Sequence, residues 1–247
     1  MSHSACIIIP SFKAADVLPK TVERIPATFF ENGGKAVIVN DASPDDTGKV
    51  ADQLAEQYPH VSALHHPQNR GYGGAQKSGL HWGLEKGCDS FAIVHADGQY
   101  APELVEELLT PIWKGEAHIV QGSRMLGSGA LKGGMPLSRY LPNRALTLLE
   151  NLAFGTSMKE FHSGYMLYSR KLLEALPFDA LQNNFNFDAE IILVAHLAGF
   201  PCAQLPIPTC YSDESSSLDP IPYGINVLKM IFVHFGGHYR ALLKKSS

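Results

Sequence analysis

Phe91-Ala92-Ile93-Val94-His95-Ala96-Asp97-Gly98-Gln99 is the stretch on which the reading of this chain turns. Its first four residues form an unbroken apolar run, the length and composition of a strand buried on both faces. The run then gives way to an imidazole, a carboxylate, a glycine and an amide. Polar groups at the carboxyl end of a buried strand stand where open α/β sheets bind their ligands. A carboxylate with neighbouring oxygen and nitrogen donors suits Mg²⁺ or Mn²⁺ holding a diphosphate. A strand-end Asp also serves as a plain loop cap, and this stretch alone leaves both readings open.

Upstream, Ala5-Cys6-Ile7-Ile8-Ile9 reads as another buried strand, stopped by Pro10, with a helix expected from Val17 to Phe30. Ala36-Val37-Ile38-Val39 makes a second strand that ends at Asn40-Asp41. Ser43-Pro44-Asp45-Asp46-Thr47 is turn and N-cap chemistry for a helix to about Tyr58. A third strand is expected at Val61–Leu64, then a loop from His66 to Gly74 and a helix from Ala75 to Lys86. Downstream, Pro102 opens a helix, and Ala117–Val120 gives a fifth strand. This alternation with short connections predicts an α/β protein, a mainly parallel doubly wound sheet with helices on both faces. After Gly122 the rhythm breaks into a glycine-rich loop over 123–136. A helix over Leu137–Phe154, a strand at Tyr165–Tyr168, a helix over Phe187–Leu197 and a strand near Cys202–Ile207 follow. We expect one domain over residues 1–220 and a helical tail over 221–247.

Composition narrows the function. The chain has 247 residues, 45% hydrophobic and 18% charged, with a net charge of −4. No global basic field draws it to nucleic acid. Its four cysteines lack CxxC spacing and read as reduced thiols, not a disulfide or zinc framework. Met1-Ser2-His3-Ser4 has no basic leader, so a cytoplasmic location is expected. No apolar stretch nears the roughly 20 residues of a membrane-spanning helix. The longest, Val227–Phe235, is interrupted by Lys229 and His234.

Other local motifs each admit two readings. Asn69-Arg70-Gly71-Tyr72-Gly73-Gly74 lacks the third glycine of a dinucleotide fingerprint, because Gln76 stands there. It serves either close approach of a diphosphate or a plain turn. Asp41 and Phe12 end neighbouring strands and suit a nucleobase, one accepting from ring N–H and one stacking, though Asp41 also suits a turn cap. Arg124 and Arg139 flank the glycine-rich loop, and arginine forks suit phosphate oxygens. Asp188 or Glu190 supplies a general base or merely decorates a helix start, and Asp213–Ser217 is a flexible loop or a lid. His65, His66, His81 and His118 lack metal-ligand spacing.

Taken in order, these pieces resemble the family 2 glycosyltransferases of GT-A fold, nearest to the polyprenyl (dolichyl) phosphate sugar synthases. The matching landmarks are Ile8–Phe12, Asn40–Thr47, Asn69–Gly71, His95–Gln99, Gly122–Arg124, His162–Tyr165 and Phe187–Glu190, which run nearly the whole chain. The resemblance implies a metal-dependent, inverting hexosyltransferase. Its donor would be a GDP- or UDP-hexose and its acceptor a polyprenyl phosphate or another glycan acceptor. Pro10, Phe12, Asp41, Asn69, Gly71 and Ala96 would hold the donor nucleotide. His95, Asp97 and Gln99 would hold Mn²⁺ or Mg²⁺. Arg124 and Arg139 would meet phosphate oxygens, with Asp97, Asp188 and Arg124 the catalytic set. Apart from the resemblance, the tail carries Ile225, Leu228, Ile231, Phe232, Phe235, Leu242 and Leu243 and ends in Arg240, Lys244 and Lys245, which suits peripheral membrane contact, a homo-oligomer contact or packing on the domain's own core. His95 replaces the first acid of the family's DxD, and imidazole suits Mn²⁺ better than Mg²⁺. The PxYNE-like start reads Pro10-Ser11-Phe12-Lys13-Ala14, without its acid. A sugar-phosphate nucleotidyltransferase and a non-catalytic nucleotide-sugar-binding protein of the same fold are the rival expectations.

Overall fold

The computed structural model describes residues 4–127, 129–208 and 220–246. Cys210 and the Asp213–Ser217 segment lie outside the described residues. The strands are β1 (Ala5–Ser11), β2 (Lys35–Asn40), β3 (Val61–His65), β4 (Ser90–Ile93), β5 (Ile119–Ser123), β6 (Met166–Ser169) and β7 (Cys202–Pro206). They form one seven-stranded sheet in the order β3-β2-β1-β4-β6-β5-β7. β1 pairs in parallel with β2 and β4, β2 with β3, and β5 with β7. β6 lies antiparallel between β4 and β5.

The helices are α1 (Leu18–Glu23), α2 (Ala27–Glu31), α3 (Thr47–Gln57), α4 (Tyr72–Glu85), α5 (Val105–Trp113), α6 (Gly129–Lys132), α7 (Leu137–Phe154), α8 (Arg170–Ala175), α9 (Phe187–Leu197), α10 (Pro220–Phe235) and α11 (His238–Ser246). Strand alternation sorts the core into two layers. Ile7 and Ile9 of β1 join Leu18, Val22, Leu54 and Leu108 on one face of the sheet. Cys6 and Ile8 join Leu80, Leu172, Ile191 and Met230 on the other. Helices therefore cover both faces, as the apolar runs predict.

Three expectations need correction. The helix expected over Val17–Phe30 is two short helices, because Pro26 has no N–H to give and pushes Ile25 away from helical geometry. α4 begins at Tyr72, not Ala75, and keeps Gly73 and Gly74 inside its first turn. The long loop over 123–136 holds a short helix, α6. The direction of β6 was not legible either. The chain leaves β5, runs through α7, and returns to the same end of the sheet, where Gly122 N–H donates to the Tyr165 carbonyl at 2.9 Å. A strand entered from that end must run antiparallel to its neighbours.

Candidate active site

The parallel strands β1, β2 and β4 deliver Phe12, Asp41 and His95 to one edge of the sheet. The backbone N–H of Asp41 donates to the Ser11 carbonyl at 3.0 Å, and that of Val94 to the Ile8 carbonyl at 2.9 Å, fixing these ends side by side. Pro10 is half-buried, while Phe12 is 47% exposed with the Lys13 ammonium 5.6 Å from its ring centre. Asp41 is buried and heavily engaged. It accepts from the backbone N–H of Arg70 (2.8 Å) and Gly71 (2.9 Å), and it contacts His66 Nδ1 at 2.6 Å. Asn69 Nδ2 donates to the Asp41 carbonyl at 3.1 Å. Asp41 thus organises the loop into α4, and both its oxygens are already used.

The glycines of this loop have a third role, which neither sequence reading named. A Cβ on Gly71 would lie 2.6 Å from the Asn183 carbonyl oxygen, and one on Gly73 would lie 2.7 Å from that of Gln182. The N–H of Gly73 donates to Asn183 O at 2.8 Å. The missing side chains let a second backbone segment press against the start of α4. Lys77 ties that segment down by donating to the Leu181 carbonyl and to Asn183 Oδ1 (2.8 Å). Asn69–Tyr72 and Gln182–Phe185 together line an open cleft of about 530 Å³.

After β4 the chain turns sharply at Gly98, whose φ is +65°. Thr21 Oγ1 donates to the carbonyl of the buried Ala96 at 2.7 Å, and Arg24 Nη1 to that of Gly98 at 2.9 Å. Asp97 and Gln99 are left exposed, and Asp97 Oδ1 accepts the Gln99 N–H at 3.0 Å. Among the described residues no group of three or more His, Cys, Asp or Glu comes together to hold an ion. A cation such as Mg²⁺ or Mn²⁺ needs only one or two protein carboxylates and completes its shell with substrate phosphates and water, so the exposed Asp97 carboxylate would suit one.

His95 points inward. Its Nε2 lies 2.7 Å from Tyr72 Oη, and Tyr72 donates its proton to Asp188 Oδ2 at 2.9 Å. While Asp188 is ionised and accepts from Tyr72, His95 donates from Nε2 and keeps its lone pair on Nδ1. Burial holds the His95 imidazole below its ordinary pKa, against the pull of the Asp97 charge. Burial raises the Tyr72 phenol well above its ordinary value, so it stays a donor. Asp188 sits in the first turn of α9 and accepts from Gln76 Nε2 at 2.9 Å. Burial pushes its carboxyl up to about 7, against the Gln76 and Tyr72 hydrogen bonds that lower it.

Gly164 makes this arrangement possible. A Cβ there would stand 2.5 Å from His95 Nε2 and 2.7 Å from Tyr72 Oη. Gly164→Ala is expected to cost about 1–3 kcal/mol by overpacking, since neither ring can retreat without losing its hydrogen bond. Urea unfolding of the variant beside the wild type measures it, and an unchanged midpoint would show that the rings have room to move.

Two other expected residues stand differently. Arg124 faces Glu160, a carboxylate fully buried in the wall of the site. Its Nη2 lies 3.0 Å from Glu160 Oε1 and donates to the His162 carbonyl at 2.6 Å. The Arg124 fork expected to grip phosphate is thus occupied by protein, because Glu160 also collects the backbone N–H of Arg124 and Met125 at 3.0 Å each. Arg139 is exposed at the start of α7. Glu190, two residues past Asp188 and so about 200° round the helix, faces away: it accepts from the Gln182 N–H at 2.7 Å and from Tyr239 of α11 at 2.6 Å. Tyr72, Gln76, Glu160 and Gly164 escaped the sequence reading as site residues. Tyr72 and Gln76 flank the glycine run, and Gly164 follows His162-Ser163. Only their three-dimensional partners reveal them.

The family model described as "Glycosyl transferase family 2" matches residues 6–176, well over half of the chain. The chain belongs to the family 2 glycosyltransferases. It is similar to an undecaprenyl-phosphate mannosyltransferase of Micrococcus luteus, with 32% identity over 201 residues, 81% of each chain. It is also similar to a UDP-N-acetylglucosamine–dolichyl-phosphate N-acetylglucosaminyltransferase of Methanococcus voltae. That match has 27% identity over 251 residues, covering 97% of this chain and 95% of the relative. In fold it is similar to the glucosyl-3-phosphoglycerate synthase of Mycobacterium tuberculosis, solved with Mn²⁺, UDP-glucose and phosphoglyceric acid. The TM-score is 0.70 at 16% identity, over 95% of this chain and 80% of that one. The fold is GT-A and the protein is a glycosyltransferase.

Proposed function

We propose that this glycosyltransferase moves a hexose from a GDP- or UDP-hexose to a polyprenyl phosphate, with Mn²⁺ or Mg²⁺ held against the donor diphosphate. The observation that carries the reading is one edge of the sheet, where exposed Phe12, exposed Asp97 and the His95–Tyr72–Asp188 chain meet. The relatives named for undecaprenyl- and dolichyl-phosphate transfer support the acceptor. The fold neighbour solved with Mn²⁺ and UDP-glucose supports the metal and the class of donor.

Phe12 offers the aromatic face for the base, beside Pro10 and the Asp41–Asn69–Gly71 loop and close to Ala96. Asp97 would anchor the cation, with His95 Nδ1 and Gln99 beside it. The ion would offset charge on the departing diphosphate. An acceptor phosphate oxygen bonds to the anomeric carbon from the far side. The carbon–oxygen bond to the diphosphate breaks, and its electron pair leaves on the nucleoside diphosphate. The nucleophile is already an anion, so no strong base is required. Arg124 braces the wall through Glu160 and lends positive charge, and the exposed Arg139 would meet phosphate oxygens. A second reading, transfer to a hydroxyl, draws on Asp188, whose carboxyl near 7 suits a general base.

The test is release of nucleoside diphosphate from GDP-mannose and UDP-glucose, with and without a short-chain polyprenyl phosphate. Release is expected only with the lipid phosphate and a divalent cation present, and chelation abolishes it. Binding without turnover across these donors, or release driven only by hydroxyl acceptors, overturns the proposal.

A further inference from the structure

Phe185 is an exposed aromatic ring on a segment that the fold holds firmly in place. The ring is 42% exposed and borders the open cleft. It stacks on Tyr72, with centroids 5.0 Å apart and planes 24° apart. Single exposed apolar side chains are ordinary. This one is distinguished by what fixes it. Lys77 is buried, and its ammonium donates to the carbonyls of Asp179 (3.2 Å) and Leu181 and to Asn183 Oδ1 (2.8 Å), 5.5 Å from the centre of the Phe187 ring. All three acceptors are neutral oxygens, and burial holds the Lys77 pKa below the ordinary lysine value. Desolvating an ammonium with no carboxylate bound to it is costly. Gly71 and Gly73 add close backbone packing against Gln182 and Asn183. An exposed phenylalanine gains little stability from such rigidity, but a ligand lying on it gains a preorganised surface.

Position says what lies there. The Tyr72 hydroxyl meets both His95 Nε2 and Asp188 Oδ2, and Phe185 precedes Asp188 by three residues. Along the sheet, Asp41 follows β2, Phe12 follows β1 and His95 follows β4, in that spatial order. A donor with its base at Phe12 and its diphosphate at Asp97 therefore carries its hexose toward Tyr72, Phe185 and Asp188. The chemistry matches. One face of a hexose ring is lined with C–H groups, which the electron-rich face of a phenyl ring attracts, and its hydroxyls stand round the edge. The cleft wall supplies donors for those oxygens. Asn183 turns its Oδ1 to Lys77 and so keeps its Nδ2 as a donor, and the Arg70 guanidinium lines the same cleft.

We propose that Phe185, backed by Tyr72, is the surface on which the donor's hexose stacks, and so a residue that sets affinity for the sugar. The proposal rests on the nucleotide-hexose reading and names the part of the site that holds the hexose.

Calorimetry with Mn²⁺ tests it, comparing UDP with UDP-glucose and GDP with GDP-mannose on the wild type, Phe185→Ala, Phe185→Leu and Phe185→Tyr. The alanine and leucine variants are expected to bind nucleoside diphosphate as the wild type does and the matching nucleotide-sugar about tenfold more weakly. The tyrosine variant keeps the aromatic face and is expected to bind both as the wild type does. In turnover, KM for the nucleotide-sugar should rise by the same factor with kcat little changed, the mark of binding lost equally from ground and transition states. An equal loss for nucleoside diphosphate and nucleotide-sugar would put the ring under the nucleotide and overturn the proposal. So would a rise confined to KM for polyprenyl phosphate, which assigns the ring to the acceptor, or a leucine variant that binds like the wild type. A wild type that binds none of the four ligands overturns the donor reading and this proposal with it. Wild-type binding that all three variants reproduce overturns the hexose surface alone.

Discussion

Asp97→Ala is expected to lower sugar transfer about a thousandfold while leaving the fold in place. Asp97 is exposed, and its described contact is one hydrogen bond from the Gln99 N–H, so little stability rests on it. It is also the one acid in the His95–Gln99 stretch. Removing a carboxylate that anchors charge stabilisation at a leaving group costs several kcal/mol in the transition state, where removal of a single neutral donor already costs 10²–10³-fold. Asp97→Asn separates charge from shape, because an amide oxygen still accepts from Gln99 and keeps the turn. Both variants are expected to lose calorimetric binding of Mn²⁺ with nucleoside diphosphate, and both to unfold at the wild-type urea midpoint. If Asn binds the metal as the wild type does, Asp97 is only a turn residue.

The division between what the sequence disclosed and what it hid follows from the range of the interactions. Buried strands announce themselves locally: Phe91–Val94 and Ala36–Val39 lie in β4 and β2 or directly beside them, and Phe187–Leu197 is α9 residue for residue. The order of landmarks was enough for the family, which the match over residues 6–176 shows. Features set by distant partners stayed hidden. Gly71, Gly73 and Gly74 read as phosphate or turn chemistry because nothing nearby reveals that Gln182 and Asn183 press on them. His95 stands next to Asp97 in the chain, but its ring turns to Tyr72, 23 residues away. Arg124 reads as a phosphate fork until Glu160 is found beneath it. An ionised side chain in a sequence advertises its charge and conceals its counter-charge.

Asp188→Asn is expected to remove a loss of stability that accompanies rising pH between about 4 and 7. Burial lifts the Asp188 carboxyl to about 7, whereas in the unfolded chain it titrates near 4. Between those values the folded protein holds a proton that the unfolded chain has released. Stability from this group is therefore fully present below about pH 4 and lost as pH rises through 7. The slope reaches at most about 1.4 kcal/mol per pH unit, one proton's worth. An asparagine has no such proton, and it fits: its oxygen accepts from Tyr72, and its amide can donate to Gln76 Oε1, a buried oxygen with no partner among the described residues, once Gln76 turns over. Urea unfolding from pH 4 to pH 8 should show the variant gaining steadily on the wild type. Parallel curves would mean that Asp188 is ionised throughout. The same variant decides the acceptor. A phosphate nucleophile needs no base, so transfer to polyprenyl phosphate should stay within about tenfold of wild type. A hydroxyl nucleophile depends on one, and general-base removal costs about 10²–10⁴-fold. A loss of that size, together with the disappearance of a rate midpoint near pH 7, would make Asp188 the base and a hydroxyl the acceptor.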